Sequence, residues 1–200
     1  MSSLQCAARV LVARHGEAEY ETDLCNDHGG SLTLLGRKQA RELGASLLGE
    51  RVARVWTSSM SRAVQTAEIA AGVLGADVVV REDLREYGVG NLAGTARHEK
   101  AYFERVFRDW VEGDDDAAID GGERVSAVVA RVEGVLREIA DEHRGETALV
   151  VSHGGAILAT LPQLAGLPRH RGLGVTLPNC GVIGLAADSD GWQVTRWDGA

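Results

Sequence analysis

The chain has 200 residues, of which 44% are hydrophobic and 25% are charged, and its formal net charge is −8 at pH 7. This length and composition predict one globular domain over residues 1–200, with enough chain to bury a core. The acidic balance argues against a nucleic-acid partner, because a broad basic surface is missing. An anionic substrate would have to be captured by local positive charge, not by the overall field.

The termini and the cysteines bear on the compartment. Residues 1–8 carry no basic segment followed by a long apolar stretch, so no secretory signal is expected, and no apolar run is long enough to span a membrane. The three cysteines, Cys6, Cys25 and Cys180, are too few and too scattered for a disulfide framework. They suit a reducing compartment, so a cytoplasmic protein without a membrane partner is expected.

The first predicted strand is the apolar run at residues 10–13, which stops at Arg14-His15-Gly16. Ligands of open α/β sheets bind at the carboxyl ends of the strands, so this junction is a candidate crevice. Arg14 offers a planar cation capable of paired hydrogen bonds. His15 offers an imidazole that can be neutral near pH 7 and act as a nucleophile, and Gly16 leaves the backbone free to bend away.

Strands and helices alternate along the rest of the chain. The apolar spacing predicts helices from a Thr33 cap to about Glu50, over 61–74, over 97–111, from about 125 to 139 and after residue 153, the last bent or ended by Pro162. Strands are predicted at 52–56, 78–80 and 148–152, and a terminal hairpin at 182–187 and 192–197. This order predicts an α/β fold, a three-layer α/β/α sandwich with a mostly parallel central sheet.

Two later junctions are similar in kind to the first. Arg62 stands at the start of the helix that follows the predicted strand at 52–56. His153-Gly154 follows the most apolar predicted strand, at 148–152, and opens a helix. The amino ends of helices attract anions, because their N–H groups are unpaired and the helix dipole is positive there. Two guanidinium groups and a helix start around an imidazole suit a phosphoryl group.

A histidine that attacks phosphorus also needs an acid to protonate the leaving oxygen. The segment at residues 83–88, which follows the predicted strand at 78–80, supplies candidates for this acid, and Glu86 is the favoured one. Glu82, Asp83 and Glu17 remain alternatives at this stage.

Five motifs now resemble, in order, those of the histidine phosphatase superfamily, the phosphoglycerate-mutase-like proteins. They run from about residue 10 to residue 185. Their residues are Arg14-His15-Gly16-Glu17 with Leu32-Thr33, Gly36 and Gln39-Ala40; Ser58, Ser61-Arg62 and Gln65-Thr66-Ala67; Leu84-Arg85-Glu86 with Gly88 and Gly94; Gly121-Gly122-Glu123; and Ser152-His153-Gly154-Gly155.

The resemblance implies a role for each matching position. His15 would be the nucleophile that becomes phosphohistidine, and Glu86 would protonate the leaving group and then activate water. Arg14, Arg62, His153 and the backbone amide of Gly154 would hold the phosphoryl oxygens. The family's chemistry implies no metal and no organic cofactor, and it implies a small phosphorylated metabolite as the substrate.

One position departs from the family. Relatives commonly carry asparagine six residues after the nucleophile, where this chain has Glu21, and Asn26 could take that place. A carboxylate beside a phosphate would repel it, unless it is protonated or turned away.

Three readings of the function follow. Hydrolysis of a phosphomonoester is favoured by comparison with the family's cofactor-dependent mutases, which typically have a longer insertion after the third motif and a C-terminal tail that closes the site. In this chain the corresponding segment, residues 95–120, is short, and no long tail follows the last strand. A cofactor-dependent phosphoglycerate mutase stays open, since Arg97, Lys100, Arg105 and Arg108 could meet a substrate carboxylate. A phosphate-binding module without catalysis is the third reading, and its one support is Glu21. Cys25-x-x-His28 has no second pair at zinc-like spacing, so no metal site is expected.

Overall fold

The computed structural model describes residues 6–19, 22–96, 100–172 and 176–199. The strands are β1 (Ala8–Arg14), β2 (Ala18–Glu19), β3 (Ser31–Leu32), β4 (Val52–Ser58), β5 (Asp77–Arg81), β6 (Thr147–Ser152), β7 (Val182–Asp188) and β8 (Gly191–Trp197). The helices are α1 (Leu34–Ser46), α2 (Ser61–Leu74), α3 (Lys100–Val111), α4 (Val125–Glu142) and α5 (Gly154–Leu164). No helix in these ranges is long and apolar enough to cross a membrane.

The main sheet has six strands in the order β5-β4-β6-β1-β7-β8. The first four are parallel to one another, and β7 pairs with β1 in the antiparallel sense and continues into β8 as a hairpin. The predicted α/β fold with a mostly parallel sheet is confirmed. The carboxyl ends of β1, β4 and β6 consequently lie side by side at one edge.

Helices cover both faces of this sheet, because alternate residues of each strand point to opposite sides. Leu149 and Val151 of β6 join a core with α1 and α2, whereas Ala148 and Val150 join a second core with α4 and α5. All six residues of β6 are buried, as expected of a central parallel strand. The three-layer α/β/α arrangement predicted from the sequence is therefore present.

Small residues allow α1 and α2 to pack closely. Ala63, Ala67 and Ala70 of α2 are fully buried. A Cβ at Gly44 of α1 would lie 2.9 Å from the backbone oxygen of Ala70, so only glycine fits there without a shift. This close packing holds the amino end of α2 at the edge of the sheet where β4 ends.

Helix boundaries show where local sequence signals were sufficient. Thr33 caps α1 as predicted, because its Oγ1 accepts a hydrogen bond from the Gly36 N–H at 2.9 Å. The predicted end near Glu50 was wrong: α1 ends at Ser46, and a separate 3-10 turn covers Leu48–Glu50. Pro162 lies within the last turn of α5, which ends two residues later, at Leu164.

The amphipathic helix expected over 97–111 is α3, and residues 97–99 lie outside the described part of the chain. Its Val106 and Trp110 are buried in a small core with α4. Arg105 and Arg108 lie on its exposed side. The terminal hairpin is also confirmed, with Ile183 opposite Trp197.

Candidate active site

Three strand ends bring two histidines and two arginines together. Arg14 ends β1 in register with Ser152 at the end of β6, and His15 and His153 are the next residues along each chain segment. Their rings lie 5.2 Å apart between centroids. Arg62, in the first turn of α2, reaches the same point from the end of β4. The structure thus brings the residues of these three junctions together in one crevice, as the sequence predicts.

His15 is buried and held in one tautomer. Its Nδ1 lies 2.7 Å from the carbonyl oxygen of Gly16, so Nδ1 carries the hydrogen and donates it. The lone pair of Nε2 accepts a hydrogen bond from Nε of Arg62 at 3.0 Å. Burial, and then the positive charge of Arg62, lower the pKa of His15 to about 3. The imidazole is therefore neutral near pH 7, with Nε2 as its basic nitrogen.

Backbone contacts fix the loop that carries His15. The N–H of Gly16 donates to Oγ1 of Thr66 at 3.0 Å, and Nδ2 of Asn179 donates to the carbonyl oxygen of His15 at 3.0 Å. A Cβ at Gly36 would lie 2.0 Å from the backbone oxygen of Glu17, so the start of α1 can approach the loop only through a glycine. Asn179 could not be predicted from the sequence, because a polar residue before an antiparallel strand carries no motif.

His153 is also buried, and Ser58 orients it. Its Nε2 lies 2.8 Å from Oγ of Ser58, which itself accepts the N–H of Met60 at 3.2 Å. The Ser58 hydroxyl can serve as the donor to Nε2, and the ring hydrogen of neutral His153 then lies on Nδ1. Burial, and then the charge of Arg62, hold the pKa of His153 well below its usual range.

Two buried nitrogen atoms beside the helix start, Nδ1 of His153 and Nε of Arg14, have no hydrogen-bond partner among the described residues. Arg14 is anchored by its other end, since Nη1 donates to the carbonyl oxygen of Leu177 at 2.8 Å. A Cβ at Gly154, the first residue of α5, would lie 3.5 Å from the same Nε. Unsatisfied buried donors beside a helix start are a site for an anion.

Glu86 lies against the first turn of α5. Its Oε2 accepts the N–H of Gly155 at 2.9 Å, and its Oε1 accepts the N–H of Ala156 at 2.7 Å. A Cβ at Gly155 would lie 2.8 Å from Oε1 of Glu86 and 2.3 Å from Cε1 of Tyr87, so glycine is required for this contact. Burial raises the pKa of Glu86, although these N–H groups and Arg62 oppose the rise.

The alternative carboxylates are engaged elsewhere. Glu82 is exposed and bonds the hydroxyl of Ser59 and Nη1 of Arg85, which lower its pKa. Glu17 accepts the hydroxyl hydrogen of Thr33 at 2.9 Å, and Asp83 is exposed. Only Glu86 among these four contacts the helix start beside His153 and Gly154.

Arg131 of α4 holds the segment that carries Glu86. Its Nη1 donates to the carbonyl oxygens of Asp83 and Arg85, both at 2.7 Å, and its Nη2 donates to that of Glu86 at 3.2 Å. Its Nε lies 2.9 Å from the carboxylate of Glu123. Glu123 belongs to one of the sequence motifs, whereas no sequence signal marks Arg131, because a charged residue at such a helical position alone indicates a solvated side chain.

The remaining predicted positions differ in what can be said of them. Glu21 and Arg97 lie outside the described residues, as does the side chain of Lys100. Asn26, considered as a stand-in for the family's asparagine, is engaged within its own loop: Oδ1 accepts the N–H groups of His28 and Gly29, and Nδ2 donates to Leu24. No cluster of three metal-ligating side chains occurs within the described ranges.

A cleft of about 360 Å³ opens beside the crevice, and Arg62 and Glu86 form part of its wall. Gly29 lies against Arg62 from the loop between β2 and β3, at a φ of +70°. A Cβ there would come within 1.7 Å of Nη1 of Arg62, so the loop can close over the guanidinium only through this glycine. The cleft is the space in which a group attached to a bound phosphoryl would lie.

The fold and the crevice together define an α/β protein with two histidines and two arginines gathered at its strand ends. The sequence model of the histidine phosphatase superfamily (branch 1) matches residues 10–199. The chain therefore belongs to the histidine phosphatase superfamily, and the prediction of an enzyme of this class is confirmed.

Individual relatives agree in family and differ in name. The chain is 29% identical over 194 residues to the protein named "Probable phosphoglycerate mutase GpmB" of Cronobacter sakazakii, covering 94% of this chain and 89% of the relative. It is similar to the solved structure of YhfR of Bacillus stearothermophilus, with a TM-score of 0.80, 27% identity, and coverage of 96% and 97%. A mycobacterial glucosyl-3-phosphoglycerate phosphatase matches with a TM-score of 0.77, 25% identity, and coverage of 97% and 100%.

Proposed function

We propose that this protein hydrolyses a phosphomonoester of a small metabolite through a phosphohistidine intermediate on His15. The observation that carries the proposal is the neutral imidazole of His15, whose Nε2 lies 3.0 Å from Nε of Arg62, close to buried nitrogen atoms of Arg14 and His153 that have no hydrogen-bond partner among the described residues. A neutral nucleophile surrounded by donors is suited to attack a phosphoryl group whose charge is spread over its oxygens. The protein acts in the cytoplasm in this proposal, as its three free cysteines favour.

In the first step, Nε2 of His15 attacks phosphorus, and the bond from phosphorus to the ester oxygen breaks. The Nδ1–H bond to the Gly16 carbonyl keeps the ring oriented and accommodates the positive charge that develops on it. Nε of Arg14, Nδ1 of His153, the guanidinium of Arg62 and the amide of Gly154 bind the phosphoryl oxygens. These donors are in place before the reaction, so little reorganisation is needed as charge develops.

Glu86 manages the proton in both steps. Burial raises the pKa of Glu86, and in its protonated form the carboxyl donates its hydrogen to the departing ester oxygen, which releases the alcohol. The resulting carboxylate then takes a proton from the water that attacks the phosphohistidine. Inorganic phosphate leaves, and neutral His15 and protonated Glu86 are regenerated.

Phosphoryl transfer of the phosphoglycerate-mutase kind is the second candidate, because the relatives quoted above carry that name. It would use the same residues for the first step and return the phosphoryl group to a second hydroxyl in place of water. In such a mutase, Arg105 and Arg108, which are exposed on α3, would contact the carboxylate of the substrate.

Release of inorganic phosphate from p-nitrophenyl phosphate and 3-phosphoglycerate, with a chelator present, tests the proposal. We expect release by the wild type and by His170→Ala, which alters an exposed histidine, and loss of release in His15→Ala. Brief incubation with a substrate labelled in its phosphoryl group, followed by a denaturing quench, should leave acid-labile labelled phosphate on the wild type but not on His15→Ala.

The outcomes separate the candidates. Unchanged turnover in His15→Ala would refute the phosphohistidine route. Conversion of 3-phosphoglycerate to its 2-isomer with a bisphosphate primer, faster than release of phosphate, would favour the mutase. Neither activity, with phosphate still bound, would favour a binding module.

A further inference from the structure

The cleft beside the crevice has apolar walls. Its apolar lining comes from Cys25, Met60, Tyr87, Val89 and Phe103. The rings of Tyr87 and Phe103 lie 6.0 Å apart between centroids and are tilted by 35°, so they form one continuous aromatic surface. A group attached to a phosphoryl held by Arg62 would extend onto this surface.

The polar side chains of the cleft already have partners within the protein. Nη1 of Arg85 donates to Glu82 at 2.6 Å, and its Nη2 donates to the carbonyl oxygen of Asp27 at 3.2 Å. Oδ1 of Asp27 accepts the N–H of Val89 at 2.7 Å. Both the Nδ2 and the Oδ1 of Asn26 are bonded within the loop. These groups shape the wall, and their hydrogen bonds are used in doing so.

Charge disfavours an acidic leaving group in the same cleft. Among its described lining residues, the cations are Arg62, which contacts the nucleophile, and Arg85, which is neutralised by Glu82. The exposed carboxylate of Asp27 also lines the cleft. A substrate carboxylate placed there would lose water without gaining a cation, and it would be repelled by Asp27.

We infer that the natural leaving group is an uncharged, apolar alcohol of roughly aromatic size, and not a carboxylate-bearing one such as glycerate. This inference rests on the proposed function, because it takes Arg62 and Glu86 to mark the phosphoryl position. It follows because the apolar surfaces of Tyr87, Val89 and Phe103 are the parts of the wall that remain available for contact with a leaving group.

Binding of non-reacting phosphonates tests the inference without requiring turnover. Calorimetry compares benzylphosphonate with 2-carboxyethylphosphonate, which carries a carboxylate in place of the ring. We expect benzylphosphonate to bind wild type about tenfold more tightly, since burial of a ring contributes at least that much. Equal affinities, or tighter binding of the carboxylate ligand, would overturn the inference.

Three variants test whether the wall of this cleft causes the preference for benzylphosphonate over 2-carboxyethylphosphonate. Phe103→Ala should reduce the preference several-fold and leave the affinity for inorganic phosphate unchanged. Phe107→Ala makes the same change one turn further along α3, outside the lining of this cleft, and should keep the wild-type preference. Val89→Lys adds a cation to the wall and should increase affinity for 2-carboxyethylphosphonate. A preference that is unaffected by both Phe103→Ala and Val89→Lys would contradict the assignment to this wall.

Turnover distinguishes this inference from the proposed function. Faster hydrolysis of benzyl phosphate than of 3-phosphoglycerate supports both. Hydrolysis that favours 3-phosphoglycerate overturns the inference and leaves hydrolysis standing. A benzylphosphonate preference without phosphate release from either ester refutes hydrolysis, while the assignment of an apolar ligand to the cleft is supported.

Discussion

Nε of Arg62 donates to Nε2 of His15 at 3.0 Å, so the guanidinium identifies Nε2 as the basic nitrogen of the ring. Burial lowers the pKa of His15 most, and the positive charge of Arg62 lowers it further, so the imidazole is neutral near pH 7. A bound phosphoryl group would enter between these partners and exchange this hydrogen bond for one to its own oxygen. In the proposed mechanism, this contact keeps the His15 ring oriented until the substrate binds.

Stability should fall as the pH is lowered, because His15 is neutral in the folded protein. Its folded pKa of about 3 lies below the usual 6.5, so between these values the unfolded chain binds a proton that the folded chain does not. The contribution of His15 to the free energy of unfolding is complete above pH 6.5. It declines by about 1.4 kcal/mol per pH unit as the pH falls toward 3. Urea unfolding of wild type and His15→Asn from pH 7 to pH 4 measures the slope. An equal slope in the two proteins would contradict this assignment.

Glu86→Gln should affect poor leaving groups most. The amide cannot donate an acidic proton to the departing oxygen, and this loss matters more for benzyl phosphate than for p-nitrophenyl phosphate, whose phenolate leaves unaided. We expect kcat/KM to fall roughly 10²-fold or more for the benzyl ester and much less for the nitrophenyl ester. Equal losses on the two esters would show that Glu86 is not the proton donor.

Arg131→Gln should reproduce the Glu86 pattern in weaker form. The substitution removes the hydrogen bonds to the carbonyl oxygens of Asp83, Arg85 and Glu86, so the acid is less well positioned. We expect roughly a tenfold loss on benzyl phosphate with a small loss on p-nitrophenyl phosphate, since small misplacements reduce rates strongly. A general loss of folding would lower both activities together.

Arg137→Gln is the matched control for Arg131→Gln. Arg137 lies on the same helix, α4, and bonds Glu133 one turn away at 2.7 Å. Its replacement should leave both kcat/KM values close to wild type. A leaving-group effect of similar size in this variant would remove the case for Arg131 as a positioning residue.

Gly155→Ala should impair catalysis. The new Cβ would lie 2.3 Å from Cε1 of Tyr87 and 2.8 Å from Oε1 of Glu86, so both side chains must move. We expect a loss of at least about tenfold in kcat/KM for benzyl phosphate. Gly134→Ala, on α4 with no atom within 4 Å of its Cβ, should keep full activity and raise the free energy of unfolding by roughly 0.5–1 kcal/mol. Full activity in Gly155→Ala would show that this contact is not needed.

Local pattern was sufficient for much of this protein. Apolar runs and helical spacing predicted β6, α2, α4 and the terminal hairpin, because burial on known faces dictates those residue types. Strand-to-helix junctions with Arg14, His15, Arg62 and His153 indicated the crevice, because parallel strands end at a common edge. The single domain over residues 1–200 and the chemical roles of these residues remain predictions.

Other features depend on residues far apart in the chain. No sequence signal connects Asn179 to His15, Arg131 to the carbonyl oxygens around Glu86, or Ser58 to His153, since each contact joins separate elements across the fold. The choice of Glu86 over Glu82 likewise rests on contact with the N–H groups of α5, which only the packed structure brings within 3 Å.

The sequence by itself determined the class of fold, the family and the residues gathered at the crevice, because hydrophobic periodicity and short motifs are local properties of the chain. Tertiary structure alone decided which ring nitrogen of His15 is basic, which carboxylate has a raised pKa and which cleft walls are left apolar. Those properties arise from burial and from neighbours supplied by distant segments, and neither is encoded in the spacing of residues along one element.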